Sequence, residues 1–149
     1  MLDLEEMTAH DAHLLLKVLD YGHLGCARTD GRPYIVPIHY AYDEPYIYIF
    51  TTEGMKTEYI AANPQVCLQA EDVRDSKNWR SVIINGRAEL LTKSEDKERA
   101  MQLITKRNPT LTPAISRMWV DAWGRANVVT IYRIHPETIS GRQTLPQFA

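Results

Sequence analysis

Hydrophobic and polar residues alternate along much of the chain, and this alternation is the pattern of half-buried β-strands. The clearest runs are Tyr34–Tyr42 and Tyr46–Phe50, which are dense in β-branched and aromatic residues and are joined by a turn at residues 43–45. In the first run the even-numbered side chains are expected on one face and the odd-numbered ones on the other. Pro37 has no N–H to donate, so we expect an edge or a bulge there.

Further strands are predicted where apolar runs lie between turn residues, at 23–28, 66–70, 79–91, 126–134 and 138–142, with a bulge or bend at Gly86 and a charged exposed loop from Glu71 to Asn78. Helical spacing predicts helices at 9–19, 56–63 and 95–107, and one that begins at Thr112-Pro113. Strands follow one another without regular βαβ alternation. The sequence therefore predicts a mainly β fold, an antiparallel barrel with helices around it.

Composition narrows the classes of function. The chain has 149 residues, a net charge of −2 and no basic run, so we expect one domain over 1–149 and no nucleic-acid partner. No apolar stretch approaches the ~20 residues that a membrane span needs, and the acidic start is unlike a signal peptide, so we expect a cytoplasmic protein. Cys26 and Cys67 are isolated within β-rich runs and are expected to be reduced core residues, with no metal site.

The chain carries few residues that could perform catalysis by themselves. It lacks the GxGxxG, GxxxxGK[ST], HExxH, GxSxG and CxxC patterns. One candidate binding segment lies before the second helix, where Thr51, Thr52, Gly54 and Lys56 could hold a phosphate. These residues are equally those of a hairpin followed by a capped surface helix, and their spacing alone favours that simpler interpretation.

An ordered set of segments resembles the flavin-binding split-barrel family typified by pyridoxamine 5′-phosphate oxidase, in the branch of small proteins near the 5-nitroimidazole-resistance proteins. The similar segments are Asp30–Tyr34, Val36–Ile38, Ile47–Ile49, Gly54–Lys56, Asn63–Cys67, Trp79–Val82 and Gly86–Ala88. The resemblance runs from about Leu24 to Ala88 and resumes weakly at Ile134–Arg142. It implies an antiparallel split β-barrel with peripheral helices and a bound FMN.

The resemblance also implies a set of site residues. The flavin ring edge would lie against Val36, Pro37, Ile38 and His39. Lys56 would pair with the FMN phosphate and Thr51 or Thr52 would hydrogen-bond to it. Met55 stands where relatives often carry an arginine, which removes one phosphate donor.

Three further residues, Trp79, Arg80 and Ser81, match a strand that in the family reaches the flavin of a partner subunit, so a homodimer with flavin at its interface is implied. Arg80 could supply the charge missing at Met55, or could be an ordinary surface arginine. Arg142 lies in a segment that resembles the oxidase's closing segment. Ile139 and Ser140 replace that segment's aromatic residues, so oxidation of vitamin B6 is not expected.

Three functions are compatible with these residues. The first is an FMN-dependent oxidoreductase acting on a small planar or electrophilic substrate, with NAD(P)H as a possible electron donor and His39 as a candidate proton donor or structural histidine. The second is a flavin-binding carrier or sensor without turnover. The third is a haem-binding split barrel, which would need an axial ligand such as His39 or His135.

Overall fold

The structure, a computed structural model, describes residues 3–52, 55–107 and 129–145, without the side chains of Thr52 and Val129. The helix predicted from Thr112 lies outside these residues. The described elements are, in chain order, β1 (Leu4–Glu6), α1 (Ala9–Val18), β2 (Tyr21–Ala27), β3 (Pro33–Asp43), β4 (Tyr46–Thr52), α2 (Met55–Ala62), β5 (Gln65–Asp75), β6 (Asn78–Leu90), α3 (Ser94–Arg107) and β7 (Val129–Thr144).

The strands form one antiparallel sheet in the order β1-β7-β4-β3-β2-β5-β6, and β6 also pairs with β7. Six strands therefore close into a ring, and β1 extends the sheet beside the end of β7. Closure depends on the length of β7, which pairs with β4 from Val129 to Ile134 and with β6 from Tyr132 to Gln143. The predicted mainly β barrel with peripheral helices is confirmed.

Two apolar clusters hold the barrel together. The larger fills the ring with inward-facing side chains such as Leu24, Leu68 and Ile84, and α1 covers it with Leu15 and Leu16. The buried Tyr40 hydroxyl donates to the Leu16 carbonyl at 2.7 Å, which satisfies an acceptor near the end of α1. The smaller cluster lies on the outside of the ring, where Ala100, Met101 and Ile104 of α3 cover Ala41, Tyr48, Leu91 and Ile131.

The alternation predicted for β3 is confirmed along most of the strand. Ile38, Tyr40 and Tyr42 are buried in the ring, whereas Ile35 is 68% exposed on the opposite face. Ala41 also lies on the odd-numbered face but is buried, because α3 covers it there. The strand pairs with β2 along Pro33–His39 but reaches β4 only from Tyr40 onwards. Within the described part of the chain, residues 33–39 thus have one open side, and the edge predicted at Pro37 is confirmed.

The prediction of an exposed loop from Glu71 to Asn78 is wrong. β5 continues to Asp75, and only residues 76–77 form the turn into β6. Asp75 fixes that turn by accepting hydrogen bonds from the Lys77 backbone N–H at 2.8 Å and from the Asn78 amide at 3.0 Å. The segment is charged because both faces of this end of the hairpin are exposed, and pairing with β6 still makes it a strand.

Two smaller expectations also need correction. The two predicted C-terminal strands are one, because β7 runs through Pro136 with an irregularity opposite Asn85 and Gly86. The bulge predicted at Gly86 is confirmed, and a Cβ there would lie 2.4 Å from the His135 carbonyl oxygen. Cys26 is buried as expected, but Cys67 is exposed because it is on the outward face of β5. None of the described helices has an apolar stretch long enough to cross a membrane.

Candidate functional site

A cleft of about 310 Å³ opens where β3 and β4 separate and α2 begins. It brings together five of the predicted site residues and two others: Pro37, Ile38, His39, Thr51 and Lys56, with Tyr21 and Phe50. These residues come from four consecutive elements, β2, β3, β4 and α2. The lysine and the open strand side together suit a flat molecule with an anionic end.

The backbone of β3 presents unpaired polar groups to this cleft. The Tyr40 N–H donates to the Asp20 carbonyl at 3.0 Å, so Tyr40 points its backbone groups towards β2. Because neighbouring residues in a strand point these groups to opposite sides, those of His39 and the carbonyl of Pro37 point away from β2. No ladder partner is present there among the described residues. This open side can therefore meet the polar edge of a planar ring.

One nitrogen of the His39 imidazole is unsatisfied within the part of the chain that the structure describes. Its Nδ1 is buried and has no hydrogen-bond partner among the described residues. A buried lone pair without a partner is tolerated better than a buried N–H, so we assign the proton of the neutral ring to Nε2. Nε2 is then the nitrogen that can donate to a ligand in the cleft.

Lys56 is the second residue of α2, and its half-buried side chain supplies the cleft's cation among the described residues. Its ammonium also acts on the buried Cys26 thiol. Burial and the neighbouring Cys67 raise the pKa of Cys26, while the charge of Lys56 lowers it. Thr51 lines the cleft and is 7% exposed.

The other residues that the resemblance implies around β3 and the start of α2 do not line the cleft with a described side chain. Met55 is 51% exposed and does not line the cleft. The Val36 side chain packs against the barrel core, so only its backbone lies beside the cleft residues. The Thr52 side chain and Gly54 are outside the described part of the chain.

The other predicted site residues form a second group on β6 and β7. Trp79, Ser81 and Arg142 line a cleft of about 450 Å³ beneath β1 and the start of α1. Arg80 lies beside a neighbouring depression, and its guanidinium contacts the Asp72 carboxylate at 2.9 Å. β2 and β5 separate β3 from β6, so along the sheet the two groups are three strand spacings apart, on the order of 14 Å. Within one chain they do not meet.

A row of side-chain contacts crosses the outer face of the sheet between the two groups. The Tyr21 ring lies 5.3 Å from that of His39 and 5.7 Å from that of His23, both edge-on. His23 Nδ1 lies 3.3 Å from the Gln69 side-chain oxygen, and the Gln69 amide donates to Ser81 at 3.1 Å. Both groups of predicted residues therefore belong to one continuous surface.

Sequence reasoning missed Tyr21 and Phe50 as cleft residues. A signal for Tyr21 was present, because the Asp30-Gly31 turn fixes the register of the β2–β3 hairpin and pairs Tyr21 with His39. Phe50 gave no comparable signal. Its position in the cleft depends on how far β4 diverges from β3 beyond Ile49.

His135, the other candidate haem ligand, is already engaged. Its Nε2 lies 2.8 Å from the Glu89 carboxylate, which also accepts from Arg133 Nε at 3.1 Å. Together these contacts hold the pKa of Glu89 below its ordinary value, His135 contributing most. Across the described residues, no group of three or more His, Cys, Asp or Glu side chains is arranged to hold a metal ion.

A larger cleft, of about 630 Å³, lies elsewhere on the same sheet face, around Ile35 and Cys67. Its lining contains no charged side chain. It therefore offers no counter-charge for a phosphate, and we place the candidate site at the Lys56 cleft, which is smaller but chemically richer.

Comparison with known proteins agrees with this architecture. The chain is 28% identical to an FAD-binding protein of Mesorhizobium loti of known crystal structure, with a TM-score of 0.77 over 98% of this chain and 100% of that one. It shares its fold with a candidate 5-nitroimidazole antibiotic resistance protein of Bacteroides thetaiotaomicron (18% identity, TM-score 0.72, 95% and 89% covered). The haem storage protein HutZ of Vibrio cholerae also has this fold (12% identity, TM-score 0.70, 88% and 92% covered).

A curated relative, an uncharacterized protein of Rhizobium meliloti (strain 1021), is 40% identical over 68 residues. That match spans 46% of this chain and 44% of the relative, which is less than half of either. The sequence pattern of the pyridoxamine 5′-phosphate oxidase family matches residues 8–143, nearly the whole chain. The protein belongs to the pyridoxamine 5′-phosphate oxidase family.

Proposed function

We propose that this protein binds FMN in the Lys56 cleft and is an oxidoreductase acting on a small planar or electrophilic substrate. The observation that carries the proposal is the cleft itself, which is lined both by a lysine and by the part of β3 that does not pair with β4. The similar protein of Mesorhizobium loti is described as FAD-binding, which supports a flavin. A bound flavin would supply hydride transfer, and the chain would supply binding and orientation.

The residues present fit a flavin mononucleotide. Lys56 would pair with a phosphate at the N-terminus of α2, where backbone N–H groups favour an anion. The hydroxyls of Thr51 and Thr52 would add hydrogen bonds. The Pro37 carbonyl and the backbone of His39 would meet the polar edge of the ring. A single lysine suits one phosphate group, which favours FMN over FAD.

Catalysis would then depend on few side chains. His39 Nδ1 is buried without a hydrogen-bond partner among the described residues, and the proton is assigned to Nε2. The ring would therefore donate a hydrogen bond from Nε2 to an acceptor oxygen of the substrate. NADH or NADPH is the electron donor that we propose. A carrier or sensor without turnover is the alternative that the same cleft permits.

The site would be completed by a second copy of the chain. Trp79, Ser81 and Arg142 lie on the same sheet face as the cleft but too far away to share one ligand end within a chain. Arg80, which precedes Ser81 on β6, points to the opposite face. Ile35 and Ile83 on this face are 68% and 44% exposed, and a second copy would bury them. In a homodimer related by a two-fold axis, these residues would reach the partner's flavin.

The first experiment is an absorption spectrum of the purified protein with mass identification of the released cofactor. A flavin absorption band at about 450 nm and the mass of FMN are expected. A Soret band would overturn the proposal in favour of haem. Reduction by NADH or NADPH and then turnover of a nitroaromatic compound would support the oxidoreductase, whereas binding without turnover would leave the carrier.

The shared site is tested by sedimentation of apo- and FMN-loaded protein at low concentration. A ligand that binds only the assembled form shifts the equilibrium towards it, so FMN should favour the dimer. A monomer that holds one FMN at full affinity would refute the shared site. Arg80, Ser81 and their neighbours would then not be flavin contacts.

A further inference from the structure

Tyr21 is a large aromatic residue that the barrel does not bury. It is 46% exposed, although it begins a strand whose inward-facing residues are fully packed. It lies directly opposite His39 in the β2–β3 ladder and lines the Lys56 cleft. Exposed aromatic rings beside a cleft are unusual features of a surface that only contacts water.

The ring of Tyr21 is held in place from both sides. Its centroid lies 5.3 Å from His39 at 63° and 5.7 Å from His23 at 75°, and both are edge-to-face arrangements. Such pairs stabilise aromatic rings beyond the area they bury. The side chain is therefore oriented before any ligand arrives, which lowers the entropy cost of stacking against it.

His23 is itself fixed by a hydrogen-bond network. The Gln69 amide nitrogen donates to the Glu71 carboxylate at 3.2 Å and to Ser81 at 3.1 Å, so its oxygen faces His23. The 3.3 Å contact then requires a proton on His23 Nδ1. The chain of contacts behind Tyr21 thus extends across three strands.

We propose that Tyr21 determines substrate specificity by stacking a flat aromatic ring whose acceptor oxygen receives a hydrogen bond from His39. The proposal rests on the proposed function, which assigns the β3 side and Lys56 to the cofactor. The exposed surface of Tyr21 remains for a second molecule, and His39 Nε2 is the adjacent donor. Uncharged nitroaromatic compounds have both features, whereas nitroalkanes have the oxygen without the ring.

The test uses the FMN-loaded, oxidised protein without an electron donor, so that binding is measured and no turnover occurs. Dissociation constants for 4-nitrobenzyl alcohol and its aliphatic counterpart 2-nitroethanol are determined by calorimetry. The variant Tyr21→Leu should weaken 4-nitrobenzyl alcohol by roughly three- to tenfold and 2-nitroethanol by less than about twofold. Tyr21→Phe should retain the aromatic preference.

Tyr46→Leu is the matched control. Tyr46 also lies edge-on to a histidine, His135, at 5.0 Å, but it does not line the cleft. Its replacement should leave both dissociation constants unchanged. FMN affinity, measured separately by fluorescence titration, should be the same in all variants.

The outcomes separate this proposal from the proposed function. Equal binding of 4-nitrobenzyl alcohol by wild type and Tyr21→Leu, with FMN bound, overturns the role of Tyr21 alone. Loss of FMN affinity in Tyr21→Leu would make Tyr21 a cofactor contact, which also overturns it. A wild-type protein without flavin affinity overturns the proposed function, and the role of Tyr21 fails with it.

Discussion

Among the tyrosine–histidine contacts of the described residues, two with similar edge-on geometry have different surroundings. In the open pair, Tyr21 lies 5.3 Å from His39, whose Nδ1 has no partner among the described residues. In the closed cluster, Tyr46 lies 5.0 Å from His135, whose Nε2 is bound to Glu89. Ring contact alone therefore does not distinguish a binding site from a structural contact.

The open pair and the closed cluster differ in whether their polar atoms have hydrogen-bond partners. In the closed cluster Glu89 also accepts from Arg133, and the Arg133 guanidinium lies 5.0 Å from the centre of the Tyr46 ring. Every charge has a partner within the chain, so a ligand would have to displace one. In the open pair, His39 Nδ1 and one side of β3 have no hydrogen-bond partner among residues 3–52, 55–107 and 129–145. We expect changes in the open pair and its cleft to alter ligand binding, and changes in the closed cluster to alter stability.

The largest effect is expected from the cleft lysine. Lys56→Ala removes a charge-assisted contact to the phosphate and should weaken FMN by about 10- to 100-fold, with the unfolding free energy of the apo-protein unchanged. Fluorescence titration of the apo-protein measures it. Lys93→Ala, at an exposed lysine before α3, should bind FMN as wild type does. Unchanged affinity in Lys56→Ala would mean that residues 51–56 are only the entry to a helix.

A smaller effect is expected from the closed cluster. Glu89→Gln should lower the unfolding free energy at pH 7 by roughly 1 kcal/mol or less, because these ion pairs are partly exposed to solvent. FMN affinity should not change. Chemical denaturation of the variant beside wild type gives the difference.

The difference in unfolding free energy between wild type and Glu89→Gln should depend on pH in a predictable direction. The pKa of Glu89 in the folded state is depressed from its ordinary 4.5, mainly by the hydrogen bond from His135. The carboxylate therefore stabilises the fold above 4.5, and this contribution is lost as the pH falls through the lower, folded-state value. The gap between wild type and Glu89→Gln should narrow in acid.

Only a small effect on cofactor binding is expected from the open histidine. His39→Ala removes the imidazole but leaves the backbone groups of β3 in place, so FMN affinity should stay within about threefold of wild type. Titration with FMN measures it, and circular dichroism confirms folding. Complete loss of cofactor from a folded variant would contradict this expectation and make the imidazole itself a flavin contact.

The sequence by itself determined most of the local structure. Alternation predicted the faces of β3, and the missing N–H of Pro37 predicted an open side. The prediction for Glu71–Asp75 was wrong because charged residues in succession are typical of an exposed loop. Charge along a strand reports exposure, and only pairing with β6 made this exposed segment a strand.

The site was determined by the sequence only in part. Pro37, His39, Thr51 and Lys56 could be chosen from the resemblance, and the structure gathers them in one cleft. Local patterns could not show that Phe50 lines the cleft or that His39 Nδ1 has no hydrogen-bond partner among the described residues. They also could not show that the Glu89 carboxylate contacts His135 Nε2. These properties depend on which strands are neighbours in the closed ring. Contacts between residues 46 positions apart, as for His135 and Glu89, leave no trace in local periodicity, because only barrel closure brings β6 and β7 together.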